Sequence, residues 1–340
     1  MSLYVNDINL TVKRGIAAME FRLWSLVILL LLPVSGYSAQ DVDSNADESA
    51  QYGKYSAKIF SDYQKGALTF GKPGSDSSET LTVYPPARPA LGVAIEWRKV
   101  LSVSWSTSVP GLNGVASRLH DSSIFHFEVH HNESPVSLDV HVLRYKGLYA
   151  IMQPKNDIRP FQDSLFTGDS GAAVLPDMIL ESASIGGIYN FDREALDLGA
   201  LMNQSRVPQK TGWARLLAAQ MRTTRFQNNS SIWQDVSDFK GGSLSGAIIG
   251  PGIAGQWVEH PWYAGGAGIF APAVTHSRLG EEHQKEHFAA FYNLRGSAGY
   301  NFGKNAWGID LYKSILTVDR ASISVTETVS KAQVFYAMRF

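Results

Sequence analysis

Three groups of residues have the types and spacing to do chemistry. His126, Glu128 and His130 fall at every second position, and Asp139 and His141 repeat that spacing further on. In an extended chain alternate side chains share a face, and imidazoles beside carboxylates are the elements of general acid–base catalysis. Gly168-Asp169-Ser170-Gly171 copies the core of the nucleophile loop of trypsin-like proteases. His120, His126, His130, His131 and His141 lie upstream of it, but none stands in the local setting of a protease base, and a triad is defined by geometry, so a polar loop is the better account. His283-Gln284-Lys285-Glu286-His287 follows the H-x-x-E-H order, in which a helix turns two imidazoles to one metal. Here the segment runs directly into an alternating stretch from Phe288, and Glu327 is the sole glutamate downstream. A metal site needs a complete ligand set, so zinc at His283, Glu286 and His287 is disfavoured and no cofactor is assigned.

The elements that must position these groups are strands. Leu91, Val93, Ile95 and Trp97 alternate with Gly92, Ala94, Glu96 and Arg98, and Leu101, Val103 and Trp105 alternate with Ser102, Ser104 and Ser106. The period of two returns at Val136–Val142 and again at Leu196, Leu198, Ala200 and Met202. Further strands are expected over 123–131, 178–190, 212–223, 243–253, 261–271, 286–300, 305–316 and 320–328, with polar or Gly/Pro-bearing connections such as Val207–Gly212 and Asn301–Asn305. Many of these stretches are long. Strands of globular proteins average about five to six residues, whereas a tilted strand needs about 9–11 to cross a bilayer.

Export is read from the start of the chain. Leu23–Leu32 is a short apolar run closed by Pro33 and followed by small and polar residues to Ala39, with Lys13, Arg14 and Arg22 before it. A spanning helix needs about 20 apolar residues, so residues 1–39 read as a signal peptide, with Met19 an alternative start. Residues 40–66 open with an acidic stretch poor in large apolar groups and read as a flexible periplasmic tail, leaving 67–340 for the folded domain. Lys and Arg number 30 against 31 Asp and Glu, which offers nothing to recruit nucleic acid, and the absence of Cys excludes disulfides and thiolate chemistry. Charged residues are only 18% of the chain while aromatics reach 11%. An exported chain without helical spans crosses lipid only as a closed sheet, apolar outside and polar or small inside.

The last residues sharpen that reading. Val334, Tyr336, Met338 and Phe340 alternate with Gln333, Phe335, Ala337 and Arg339. This resembles the C-terminal recognition strand of bacterial outer-membrane proteins, which implies the barrel-assembly machinery as a partner, beside outer-membrane lipid. The stretches LGVAIEWRKVLSVSWS (91–106), LDVHVLRYKGLY (138–149), SIGGIYNFDREALDLGALMNQSRVPQKTGW (184–213) and GGSLSGAIIG (241–250), with Tyr145-Lys146-Gly147 and Gln209-Lys210-Thr211-Gly212 inside them, resemble the DUF4421 family. That resemblance implies an outer-membrane barrel and no defined activity; the family pattern carries Ser where this chain has Thr211.

The expectation is therefore a closed antiparallel transmembrane β-barrel of about 12 strands, within 10–14, since bacterial barrels use even numbers. A barrel of that size is filled by side chains, because wide pores need about 16 strands. Glu96, Arg98, Glu128, Asp139, Arg144, Arg215 and Arg222 are expected to pair as a polar plug, since ionisable groups at membrane depth must face an interior. A non-enzymatic narrow channel, an envelope scaffold or a surface-interaction module in the outer membrane of a Gram-negative bacterium would all fit. The enzymatic alternative is a lipid- or glycan-modifying barrel hydrolase using His126, Glu128, His130, Asp139 and His141, with Ser122, Ser123 or Ser137 nearby. A soluble periplasmic β-sandwich is the second alternative.

Overall fold

The computed structural model describes residues 55–71, 80–85, 88–97, 100–108, 123–133, 135–153, 172–202, 208–228, 241–279, 285–319 and 324–340. Thirteen strand segments account for most of them: β1 Tyr55–Gly71, β2 Thr80–Tyr84, β3 Arg88–Trp97, β4 Leu101–Ser108, β5 Ser123–Glu133, β6 Val136–Gln153, β7 Ala172–Asn190, β8 Gly212–Asn228, β9 Gly241–Glu259, β10 Trp262–Leu279, β11 Lys285–Phe302, β12 Asn305–Asp319 and β13 Ser324–Arg339. Every pairing is antiparallel, and β13 returns to β1 from Ser56↔Arg339 to Gly71↔Ser324. The sheet is closed, so the stacked layers of a sandwich are excluded and, among the described residues, the ring has no free edge strand.

The ring changes size along its axis. β1 pairs with β3 over Tyr55–Gln64 and with β2 over Leu68–Gly71, so β2 and β3 lie end to end along one side of β1. The step from Gln64 to Leu68 is met by the longer step from Arg88 back to Val83, an interval that holds Pro85, which has no amide to donate. β4 and β5 fill the wall beside β3, but β2 pairs directly with β6 over Tyr149–Gln153. Near Tyr55 and Phe340 the ring therefore has 12 strands, and at the opposite end it has ten. Gly147 sits where β6 passes from one neighbour to the other, at a register shift against β7, and its φ of 75° is one that a side chain disfavours.

The connections are equally asymmetric. At the end holding Tyr55 and Phe340, called here the terminal end, residues 98–100, 134–135, 260–261 and 303–304 suffice to turn the chain, the last through Gly303 at φ 68°. At the other, the loop end, 109–122, 154–171 and 229–240 separate consecutive strands. Short turns at one rim and long connections at the other are the habit of outer-membrane barrels; the β7–β8 connection, 191–211, departs from it by lying at the terminal end.

Burial is inverted relative to a water-soluble domain. Ile95, Trp213, Met221, Ile253 and Leu311 are among the exposed residues, while Asp62, Gln64, Ser106, Arg222 and Glu327 are buried inside the ring. Trp97, Trp213, Trp257, Trp262, Trp307, Tyr336 and Phe340 stand exposed near the terminal end as an aromatic girdle. No helix among the described residues is long and apolar enough to cross a membrane.

Two expectations need correction. The barrel wall starts at Tyr55, inside the stretch read as a tail: Ile59 and Tyr63 face outward while Phe60, Asp62 and Gln64 are buried. The inward polar residues mimicked a solvated segment, and the partner that makes the stretch a strand is β13, distant in sequence. Leu196, Leu198, Ala200 and Met202 do not form a strand either; Leu198–Met202 is a short helix, α1. Asp197 caps it, its Oδ1 accepting from the amides of Gly199 at 2.8 Å and Ala200 at 3.3 Å. Leu196, Leu198 and Leu201 bury against Ala214, Leu216 and Ala254 of the wall, so the β7–β8 connection folds back into the terminal end of the lumen.

Candidate functional site

The two expected groups, His126/Glu128/His130 and Asp139/His141, meet in the lumen. β5 and β6 pair in a register that sets Glu128 opposite His141 and His130 opposite Asp139. Because inward side chains recur every second residue, both sets necessarily project into the ring together. Glu128 is the hub. Its Oε1 lies 2.8 Å from His126 Nε2 and 3.1 Å from His141 Nδ1, and its Oε2 lies 3.5 Å from His130 Nε2. His141 Nε2 is 2.8 Å from Asp139 Oδ2, so this imidazole is clamped between two carboxylates.

Other strands complete the network. Lys331 of β13 donates from Nζ to both oxygens of Glu128 at 3.2 Å, reaching across from a strand four places away in the 12-strand ring. Arg295 of β11 stands 3.9 Å from Asp139 and over the Tyr312 ring. Gln64 of β1 donates to Asp62 at 2.9 Å and lies 2.8 Å from His126 Nδ1, and the Ser106 hydroxyl donates to Asp62 at 3.0 Å. Beside the hub is a cavity of about 60 Å³ bordered by Lys58, Ser104, Glu128, His141, Arg295 and Lys331 and closed on one side by Leu201 and Met202. Such a space suits a few waters or a small ion, not a lipid or a sugar chain.

A second buried network crosses the ring nearer the loop end. Arg222 Nη2 donates to Glu327 Oε1 at 2.6 Å, Arg222 Nη1 to Ser314 at 3.0 Å, and the Thr224 hydroxyl to Glu327 at 2.9 Å. β8 and β13 are five places apart whichever way the ten-strand ring is followed, so this ion pair spans its diameter. Tyr145, Leu148, Leu175, Leu180, Phe226 and Leu68 pack beyond it as an apolar cluster within the lumen.

The polar plug expected from sequence is thus real in part. Glu96, Glu128, Asp139 and Arg222 are inside, whereas Arg144 and Arg215 are exposed, paired with Glu181 at 3.2 Å and Asp192 at 2.8 Å. They occupy the outward phase of β6 and β8. Asp192 also accepts from the Arg215 amide at 2.8 Å, and these bonds hold its carboxyl down at a pKa of about 2. Lys58, Gln64, Arg295 and Lys331 were not foreseen; the available signal was their inward phase, as with Arg295 between Asn293 and Ser297. Arg98, Ser122, His283 and the Gly168–Gly171 loop lie outside the described residues. Glu286 and His287 belong to β11, so the helix that an H-x-x-E-H metal site requires is not formed there.

A closed antiparallel ring with an apolar, aromatic-girdled exterior and a polar interior defines a β-barrel of the outer-membrane type. The chain belongs to the DUF4421 family, a domain of unknown function, whose pattern matches residues 46–340. No curated protein matches the sequence. Among solved structures it is similar to the outer-membrane protease OmpT from Escherichia coli, at 9% identity and a TM-score of 0.41 over 85% of this chain and 97% of that one. It is also similar to the translocator domain of the autotransporter NalP from Neisseria meningitidis (11% identity, TM-score 0.37, 88% and 93% covered). A third is an outer-membrane channel from Pseudomonas putida F1 (14% identity, TM-score 0.32, 84% and 96% covered).

Proposed function

We propose that the protein is exported to the outer membrane of a Gram-negative cell and acts there as a sealed, non-catalytic envelope scaffold that displays its loop-end connections. The observation that carries this reading is the Arg222–Glu327 pair, which bridges the diameter of the narrow ring at 2.6 Å with the apolar cluster packed beyond it. A ring crossed by a direct ion pair and filled with Tyr145 and Phe226 has no path for a hydrated solute at that level. Burial on this scale also opposes a hydrolase. Both nitrogens of His141 face carboxylates, and the Ser104 hydroxyl donates to Glu128 rather than to an imidazole, so no activated nucleophile is assembled among the described residues. Val334, Tyr336, Met338 and Phe340 are exposed on the outward face of the terminal strand, an arrangement suited to recognition by the assembly machinery before closure.

The test is a planar-bilayer recording of the purified barrel, with folding verified by heat-modifiable gel migration. Electrical silence from inserted protein is expected. Sustained unit conductance would overturn the sealed reading in favour of a narrow channel.

A further inference from the structure

We infer that His126, Glu128 and His141 form a site for a divalent transition-metal cation, with zinc the best match. One imidazole nitrogen each of His126 and His141 and a carboxylate oxygen of Glu128 all lie within 4.8 Å of one another. Two imidazole nitrogens and one carboxylate oxygen form a donor set that suits zinc, cobalt or nickel, whereas magnesium and calcium favour all-oxygen shells. The donors come from two hydrogen-bonded strands, with Glu128 and His141 directly opposite, so the backbone already holds them in place. A tetrahedral zinc with bonds of about 2.0–2.1 Å needs its ligands roughly 3.3 Å apart; Glu128 Oε1 lies 2.8 and 3.1 Å from the two imidazole nitrogens, and the two histidines offer nitrogens within 4.8 Å of each other.

The surroundings are those of a metal centre as well. Asp139 takes the second nitrogen of His141 at 2.8 Å, and a carboxylate behind a ligating histidine fixes its orientation and raises its basicity. Gln64 faces the second nitrogen of His126 at 2.8 Å through the amide nitrogen that also donates to Asp62, so ligation through Nε2, which leaves the proton on Nδ1, requires that amide to turn and exchange its bond to Asp62 for one from His126; Asp62 then keeps its bond from Ser106. The cavity of about 60 Å³ adjoining Glu128 and His141 has room for a water as the fourth ligand. One feature opposes the ion. Lys331 places its ammonium 3.2 Å from both Glu128 oxygens, so it competes for the same carboxylate and must swing into the cavity when the metal enters.

That competition makes the proposal separable from ordinary histidine stickiness. The folded, detergent-solubilised barrel is dialysed against zinc chloride, with magnesium chloride as the comparison, and counted by mass spectrometry; cobalt substitution reports the ligand field. We expect one zinc per barrel, no stoichiometric magnesium, and a tetrahedral cobalt spectrum. His126→Ala and His141→Ala should abolish stoichiometric binding, Asp139→Asn should weaken it about 10–100-fold, and Lys331→Met should tighten it. His141→Gln and His126→Asn, which keep polar side chains in the network, carry the test if the alanine variants fail the heat-modifiability check. No zinc on the wild-type barrel, or undiminished zinc on the folded double histidine variant, would overturn the assignment.

Discussion

The two ends of the lumen solve one packing problem with different chemistry. At the loop end the ring has ten strands and is filled mainly by carbon: Tyr145, Leu148, Leu175 and Phe226 pack around the Arg222–Glu327 crossing. At the terminal end it has 12, and the wider section is filled by α1 and by a chain of polar side chains from Ser106 through Glu128 to Asp139. Barrel diameter grows with strand number, so two additional strands open space that apolar side chains of ordinary length do not bridge. Polar groups bridge it through successive hydrogen bonds, with the cavity beside Glu128. The narrow end is closed by volume, and the wide end by pairing.

Removing one partner of the diametric ion pair should break this contrast most severely. Arg222→Ala leaves Glu327 buried without its cation and should cost about 3–5 kcal/mol in a detergent unfolding titration. Arg222→Met with Glu327→Leu should recover part of that loss, because no charge is then left buried, while the Ser314 and Thr224 hydroxyls give up their bonds to the pair. Leu148→Ala at the same end should cost about 2–5 kcal/mol, the range for a buried leucine, with no change in metal binding. At the wide end Glu128→Gln should cost less, about 1–3 kcal/mol, since the cavity lets Lys331 and the imidazoles find water. A larger loss for Glu128→Gln than for Leu148→Ala would reverse the ranking of the two ends.

The smallest effect belongs to the exposed clasp that ties the β7–β8 connection to the wall. Asp192 has its carboxyl lowered to a pKa of about 2 by Arg215, against an ordinary 3.8. A depressed carboxylate contributes its stabilisation in full above the ordinary value and loses it as pH falls toward the folded one. Proteolysis of the 191–211 connection should therefore be unchanged down to about pH 4 and increase between there and about pH 2, and Asp192→Asn should remove that step. A carboxyl titration of Asp192 by NMR centred near 4 would remove the basis for it.

What could be read ahead of the structure follows from the range of each signal. Alternation is local, so most strands, the outward residues of β13 and the shared faces of His126/Glu128/His130 and Asp139/His141 were legible residue by residue. Pairing across the ring is not local. Lys331 joins Glu128 across more than two hundred residues of chain, and β1 is a strand because β13 lies beside it. The change from 12 to ten strands depends on β2 meeting β6, which no local pattern records. α1 escapes that signal because Leu196, Leu198, Ala200 and Met202 follow a period of two over only seven residues, while the side chain of Asp197 caps a helix there. Arg144 and Arg215 were placed inside on charge alone, although their phase already put them outside.

Tyr55 and Phe340 exchange two main-chain hydrogen bonds, at 3.0 and 2.9 Å, and their rings stack 6.2 Å apart. The closing seam is therefore chemically the same as any other joint in the wall. A short glycine-rich peptide could splice these two residues together while the chain is cut within one of the loop-end connections, yielding a circular permutant with an unaltered wall.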